Sequence, residues 1–430
     1  MADMFYDYLV GHMGINPQVA RFVSETEENL KTEYAKIDET AAANQLKVLK
    51  AMQDARLSDI HFNDSTGYGY HDEGREAIEE TFANVFKTES ALVRPQLISG
   101  THALSAALFG NLRPGDILLS PNGKPYDTLE SVIGIRQASG SLAEFGIKYQ
   151  QTELTEAGDF DYEAIAEALK SKPKMVSIQR SKGYSWRKSF SVNEINQLIS
   201  HIRDISPQTI IMVDNCYGEF VEAGEADGAD LIVGSLIKNP GGGLAPGGGY
   251  VAGKQKYVEA SAERLTAPGL GSAVGPSLGM SRILLQGLFV APQTVSSAVK
   301  GALLASAVFS RLGFPVNPAP NAARSDIVQA IRLGDAEKVA AFCRGIQKAA
   351  PVDSYVTPEP APMPGYAHGV IMAGGTFIQG SSIELSADAP MREPYIVYFQ
   401  GGLTSPHSRA GVVFAVQEMQ NGNVAMPVLK

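Results

Sequence analysis

Ile210-Ile-Met-Val-Asp214-Asn-Cys-Tyr217-Gly-Glu219 and, close behind it, Ala229-Asp-Leu-Ile-Val-Gly-Ser235-Leu-Ile-Lys238-Asn-Pro-Gly241 are the two stretches on which the fold turns. Each opens as a short apolar run without polar alternation, the pattern of a strand covered on both faces, and each ends on polar residues. Open α/β sheets bind ligands beyond the carboxyl ends of their strands. The first run places Asp214 at that edge, and the second places Ser235 and Lys238 just past the next strand. Twenty-four residues separate Asp214 from Lys238, enough for a crossover that returns the chain to the same edge. Alone, a strand-end Asp reads as a cap or turn former and a single Lys as a solvated side chain. Together they suit imine chemistry: a lysine amine held among glycines, a serine three residues earlier within reach of a phosphate, and a carboxylate for a cationic ring nitrogen.

Working outward, the surrounding chain alternates in the α/β manner. Strands are expected at Asp116–Ser120, Val132–Ile135, Met175–Ile178, Thr209–Val213 and Leu231–Val233, with helical patterns at Tyr162–Leu169 and Val192–Arg203. Upstream, Ser65-Thr-Gly-Tyr-Gly-Tyr-His-Asp-Glu-Gly-Arg75 reads as a loop entering a helix from about Arg75 to Val85, and Ser99-Gly-Thr101 as the start of a helix over Thr101–Leu112. Pro17 to Asp59 reads as one or two amphipathic helices with Asn16 as N-cap. Downstream, Leu278 to Phe309 is apolar at helical spacing. Extended segments are then expected at Ile327–Ile331, Gly369–Met372, Ser382–Leu385 and Val412–Val416, around a helix at Ala336–Ala349. The expected domains are an N-terminal helical arm over 1–63, a large cofactor domain over 64–312 and a small α+β domain over 313–430.

Composition narrows the function. With 36 Lys and Arg against 46 Asp and Glu the chain carries a formal charge of −10, which argues against a general binder of nucleic acid or anionic membrane. Two cysteines in 430 residues make no disulfide framework, so a reducing, cytoplasmic setting is expected. No membrane span, secretory signal or paired metal-ligand spacing is visible, and no metal is expected. The absence of a GxGxxG fingerprint after an early strand weighs against a nicotinamide dehydrogenase. The 43 glycines gather partly at Gly67/Gly69, Gly100, Gly241–Gly249 and Gly401/Gly402, where a side chain would obstruct a close approach.

These motifs resemble those of the fold-type I, aspartate-aminotransferase-like pyridoxal phosphate enzymes, and most closely the cystathionine/methionine gamma-lyase group in its aluminium-resistance branch. The resemblance runs from about Asp64 to Gln417. It rests on Gly67-Tyr-Gly-Tyr-His-Asp-Glu-Gly-Arg75, Ser99-Gly-Thr-His-Ala103, Gln179-Arg-Ser-Lys-Gly-Tyr184, Val213-Asp-Asn-Cys-Tyr-Gly-Glu219 and Ser235-Leu-Ile-Lys-Asn-Pro-Gly-Gly242. It implies a mostly parallel seven-stranded sheet covered by helices, with a smaller α+β C-terminal domain.

The same resemblance assigns residues. Lys238 forms the imine with pyridoxal 5′-phosphate, and Asp214 meets the pyridine nitrogen. Ser235, Gly100 and Thr101 form the phosphate cup, Tyr126 stacks on the ring, and Tyr217 joins the cofactor site. Tyr68, Tyr70 and Arg75 lie where relatives reach across a dimer interface, although this chain delays its arginine relative to the usual Tyr-x-Arg pair. Tyr70 and Tyr126 are candidates for moving protons beside Lys238. The substrate α-carboxylate falls to Arg392, with Arg180 as the rival and Arg409 as a further candidate. The implied activity is a carbon–sulfur lyase acting on a sulfur-containing amino acid by β- or γ-elimination, in a homodimer with shared sites or a tetramer. A γ-replacement transferase, an aminotransferase and a non-catalytic binding protein on the same scaffold are the alternatives.

Overall fold

The computed structural model describes residues 4–422 and divides into two compact units. One comprises Ala43–Gly183 and Ser189–Ala291. Its sheet contains β1 (Ser90–Arg94), β2 (Ile117–Ser120), β3 (Lys148–Gln151), β4 (Met175–Gln179), β5 (Ile210–Asp214), β6 (Leu231–Ser235) and β7 (Gly249–Gly253), in the order β1-β7-β6-β5-β4-β2-β3. β7 runs antiparallel to both its neighbours; the remaining pairs are parallel. The uninterrupted apolar character of β5 follows from this position. Ile210 and Met212 pack with Leu104, Ala107 and Leu108 of the helix Gly100–Asn111, while Ile211 and Val213 pack with Ile195, Leu198 and Ile202 of the helix Val192–Ile205. With both faces covered, no polar alternation is possible, and each buried Ile or Val contributes roughly 1.5–3 kcal/mol.

Among the described residues, the other unit comprises 4–42, Tyr184–Lys188 and 292–422. Its five strands, β8 (Val316–Asn317), β9 (Gln329–Arg332), β10 (Val370–Ala373), β11 (Ser386–Pro390) and β12 (Ile396–Gln400), form an antiparallel sheet in the order β10-β11-β12-β9-β8. The helices Ala336–Lys348 and Ser405–Asn421 share its core: Phe342, Ile346, Val412 and Val416 are fully buried with Ile331, Ala387 and Val397.

The units are cut differently from the expected 1–63, 64–312 and 313–430. Leu9, Val19, Phe22 and Val23, on the helices Met4–His12 and Pro17–Glu28, belong to the core that holds Phe342 and Val412. An apolar stripe on so short an arm has no core of its own and is buried in the C-terminal unit. The helix Ser281–Arg311 carries an internal Pro292, and the division falls there. This helix is long and apolar enough to cross a membrane, yet it is mostly buried inside the protein.

Three expected strands are not strands where they were placed. Val132–Ile135 falls at the end of the helix Asp127–Ile133, which buries Leu129 and Ile133 one turn apart and stops at Gly134 with φ +94°. Val412–Val416 lies inside the helix Ser405–Asn421, whose start is fixed by Thr404 as N-cap and Pro406 in the first turn. Ser382–Leu385 precedes β11, which begins at Ser386. Short apolar runs do not separate helix from strand by periodicity alone.

Candidate active site

β5 and β6 run parallel, with Val213 opposite Ile232 and Asp214 opposite Val233, so their carboxyl ends open at one edge. Asp214, the last residue of β5, is buried, and its Oδ1 accepts the backbone N–H of Cys216 at 3.1 Å. Ser235, at the end of β6, is 1% exposed. It faces the start of the helix Gly100–Asn111: a Cβ added to Gly100 would lie 3.1 Å from the Ser235 Cβ and 3.3 Å from the Cys216 Sγ. Glycine at position 100 is therefore a matter of space. First-turn amides of a helix lack intrahelical acceptors. The Ser99 Oγ takes the N–H of His102, and Gly100, at the start of the helix, lies beside Ser235, an arrangement suited to a phosphate. The Thr101 hydroxyl lies 2.8 Å from that of Thr128.

Lys238 follows three residues after Ser235 and is half-buried. Its Nζ sits 3.9 Å from the centre of the Tyr217 ring. Burial opposes a charge on this amine, but Cys216, Tyr217 and Asp214 outweigh it and hold the pKa above the ordinary lysine value. Burial also pushes the Cys216 thiol well up. Tyr126 caps the helix Asp127–Ile133 and is anchored to the end of β4, its N–H donating to the Gln179 Oε1 at 2.8 Å. Lys238, Asp214, Tyr217, Ser235, Gly100, Thr101 and Tyr126 thus all belong to one unit, on strand ends and helix starts of the same sheet.

The arginines stand otherwise. Arg180 is 1% exposed and engaged through both Nη groups: its Nη1 donates to the Asn215 Oδ1 at 2.7 Å and the Glu225 Oε2 at 3.1 Å, and its Nη2 to the Glu222 Oε1 at 2.7 Å. Glu225 and Glu222 already occupy its two Nη groups, which weighs against it as a receptor for a substrate carboxylate. Arg409 is likewise paired with Glu27 at 2.9 Å. Arg75 is buried, with Nη1 donating to the carbonyls of Gly69 at 2.6 Å and Gly275 at 3.0 Å. It braces its own loop rather than presenting a cation, while Tyr68 and Tyr70 stand out 70% and 57% exposed, stacked at 5.5 Å. Arg392 belongs to the C-terminal unit, where it is exposed on the turn after β11 with Nη2 3.5 Å from the Tyr184 carbonyl.

One ionisable group of the site escaped the sequence reading. Glu219 is 0% exposed; its Oε1 accepts the Tyr250 hydroxyl at 2.8 Å, and its carbonyl accepts the Asn239 amide at 2.9 Å. Burial raises its pKa to about 8 despite the Tyr250 hydrogen bond and the nearby Lys238. Its neighbour in space is Gly234, where a Cβ would come within 2.6 Å of the Glu219 Oε1. An acid five residues past a strand-end aspartate is the only trace this leaves in the sequence.

The two strand ends, the helix start between them and the lysine define a fold-type I scaffold, the architecture of aspartate-aminotransferase-like pyridoxal phosphate enzymes. The pyridoxal-5′-phosphate dependent protein YhfS from Escherichia coli shares that fold, with a TM-score of 0.60 over 90% of this chain and 97% of that one, at 15% identity. Residues 19–420 match the methionine gamma-lyase family, and the chain belongs to that family. A carbon–sulfur lyase involved in aluminum resistance from Clostridium novyi NT is 47% identical, with a TM-score of 0.93 over 97% of this chain and all of that one. A Clostridium acetobutylicum protein provisionally named a cystathionine beta-lyase involved in aluminum resistance is 48% identical, with a TM-score of 0.94 over 97% of this chain and 99% of its own.

Proposed function

We propose that the protein is a pyridoxal phosphate-dependent carbon–sulfur lyase that cleaves a sulfur-containing amino acid by elimination at the β or γ carbon. The observation that carries this reading is the Lys238 amine, held 3.9 Å over the Tyr217 ring and beside the Asp214 carboxylate at the shared edge of β5 and β6. The residues fit the cofactor: Gly100 leaves the space a Cβ would fill, and Ser235 and the first amides of the helix surround it. Membership of the family and the name of the Clostridium novyi relative support the reaction class.

Pyridoxal phosphate, when bound, supplies an electron sink for charge developing at the substrate α-carbon. Ser235, Thr101 and the amide of Gly100 would hold its phosphate at a helix N-terminus. Asp214 would pair with the ring nitrogen and favour its protonated form. Lys238 would hold the cofactor, and its amine is the group placed to take the α-proton as general base. Tyr126 would stack on the ring, and a tyrosine hydroxyl would supply the proton for the departing thiolate. Two protomers associate, with Tyr68 and Tyr70 of one reaching the site of the other; their exposure in a single chain supports this.

The test is to incubate the pyridoxal phosphate-loaded protein with cystathionine, cysteine and methionine in turn. Release of a 2-oxo acid and ammonia in equal amounts is expected, with pyruvate marking β-elimination and 2-oxobutanoate γ-elimination. Transfer of the amino group to an oxo acid, or a replacement product without oxo acid, would overturn the lyase reading. No turnover of any substrate by a protein that binds the cofactor would favour a binding role.

A further inference from the structure

Arg180 closes β4 and is the centre of a buried polar network that the lysine chemistry does not use directly. Its guanidinium holds Asn215, Glu225 and Glu222 at 2.7, 3.1 and 2.7 Å. Asn215 in turn donates from its Nδ2 to the Glu225 Oε2 at 2.9 Å, and the Arg180 N–H donates to the Asp214 carbonyl at 3.1 Å. These partners span residues 214–225, the segment that carries Cys216, Tyr217 and Glu219. Gly218 has no side chain because the guanidinium fills its place: a Cβ there would lie 2.5 Å from the Arg180 Nη1.

The same segment holds two non-glycine residues in the left-handed region, Tyr217 at φ +73° and Phe220 at φ +64°. Bulky residues adopt that conformation only where surrounding structure over-determines it. Asn215 on one side and Glu222 and Glu225 on the other are pinned to one guanidinium, so the chain between them has little freedom. Tyr217 is the residue within that span whose ring carries the Lys238 amine.

We propose that Arg180 is a positioning residue: through Asn215, Glu222 and Glu225 it holds Tyr217 in its left-handed conformation and so keeps the ring beneath the Lys238 amine. A single arginine serves because its planar fork reaches three acceptors spread along the segment from fixed donor positions, whereas an ammonium concentrates its donors at one point. The groups facing Lys238 are Asp214, Cys216, Tyr217 and, further off, Glu219, all on the segment that Arg180 ties down. The proposal rests on the reading above only for what the amine is used for; the network and the ring contact stand without it.

The test uses the full-length protein free of cofactor and acetic anhydride as the probe. The rate of Lys238 acetylation at a fixed, mildly alkaline pH is followed by mass spectrometry, with exposed lysines as internal standards. A ring beneath the amine stabilises its charged, unreactive form. Arg180→Gln is expected to raise the Lys238 rate about two- to fivefold, the equivalent of losing one cation–π contact. Tyr217→Ala should give a similar rise and Tyr217→Phe none. In the Tyr217→Ala background, Arg180→Gln should add nothing, which separates action through Tyr217 from general loosening. Arg180→Lys, which leaves a cation between Glu222 and Glu225, serves if the glutamine variant does not fold, and its rise is expected to be smaller. A folded Arg180 variant with an unchanged Lys238 rate, or one whose effect is the same with and without Tyr217, would overturn the proposal. Failure of the protein to bind pyridoxal phosphate would leave these rates as they are and would count against the proposed function alone.

Discussion

Lys238 and Asp214 stand at neighbouring strand ends, and the chemistry expected of them is sharpest there. Asp214→Asn keeps the shape but removes the charge meant for the ring nitrogen. Its kcat for oxo-acid release should fall by about 10²-fold, the size of loss typical for one preorganised electrostatic group, with little change in fold by circular dichroism. Glu219 makes a prediction free of any cofactor. The folded protein holds its proton up to about pH 8, whereas an unfolded chain releases it near the ordinary glutamate value. The folded state therefore binds more protons across that interval, and stability falls as pH rises through it. Glu219→Gln has no such proton to lose. The difference in Tm between the variant and the wild type should move in favour of the variant between about pH 5 and pH 8, by the equivalent of a few kcal/mol at most. A difference that stays constant with pH would show that Glu219 is ionised in the folded protein. At this scale the sequence was legible where chemistry is concentrated in a short run, as in Val213–Tyr217. It was not legible for the arginines. Arg180, Arg75 and Arg409 differ from Arg392 only in partners that lie elsewhere in the chain: Glu222 and Glu225, the Gly275 carbonyl, and Glu27.

Among the elements, the helix Gly100–Asn111 matters most because its first turn abuts Ser235. Gly100→Ala would drive a methyl into the 3.1 Å and 3.3 Å gaps to Ser235 and Cys216. The fold should survive, since alanine favours a helix interior. Affinity for pyridoxal phosphate should fall by about tenfold or more, as a cradle one methyl too small would cost about 1.4 kcal/mol or more; an unchanged affinity in an absorbance titration would place the phosphate elsewhere. The helix Val192–Ile205 shows local sequence and structure in agreement. Ser191 and Glu194 form a reciprocal capping box, with the Glu194 N–H to the Ser191 Oγ at 3.2 Å and the Ser191 N–H to the Glu194 Oε2 at 2.8 Å. Ser191→Ala should cost about 1 kcal/mol in chemical denaturation. Such caps also explain the errors. Val412–Val416 is β-branched enough to read as a strand, but Thr404 and Pro406 set a helix start upstream that the apolar run then continues. β3, Lys148-Tyr-Gln-Gln151, is an edge strand with no fully buried residue, so it left no apolar signal.

For the whole molecule, the large sheet was legible and the division of the chain was not. A sheet buried on both faces imposes its pattern on every strand it contains. The N-terminal arm carries only one apolar stripe, and which core receives Val19, Phe22 and Val23 depends on residues more than three hundred positions away, such as Phe342 and Val412. The proposed dimer belongs to this scale too. Sedimentation should give at least twice the mass of one 45.8 kDa chain. Tyr68→Ala with Tyr70→Ala should weaken association or cofactor retention while leaving the fold intact, since both side chains are largely exposed in a single chain. A monomer that retains full activity would remove the shared site.

The most direct measurement is borohydride reduction of the protein after addition of pyridoxal phosphate, followed by peptide mapping. A single phosphopyridoxyl group on Lys238, accompanied by loss of the visible absorption band and absent from Lys238→Ala, is the predicted result. Reduction that labels other lysines equally, or a wild-type protein that shows no band at saturating cofactor, would contradict a site built on Lys238.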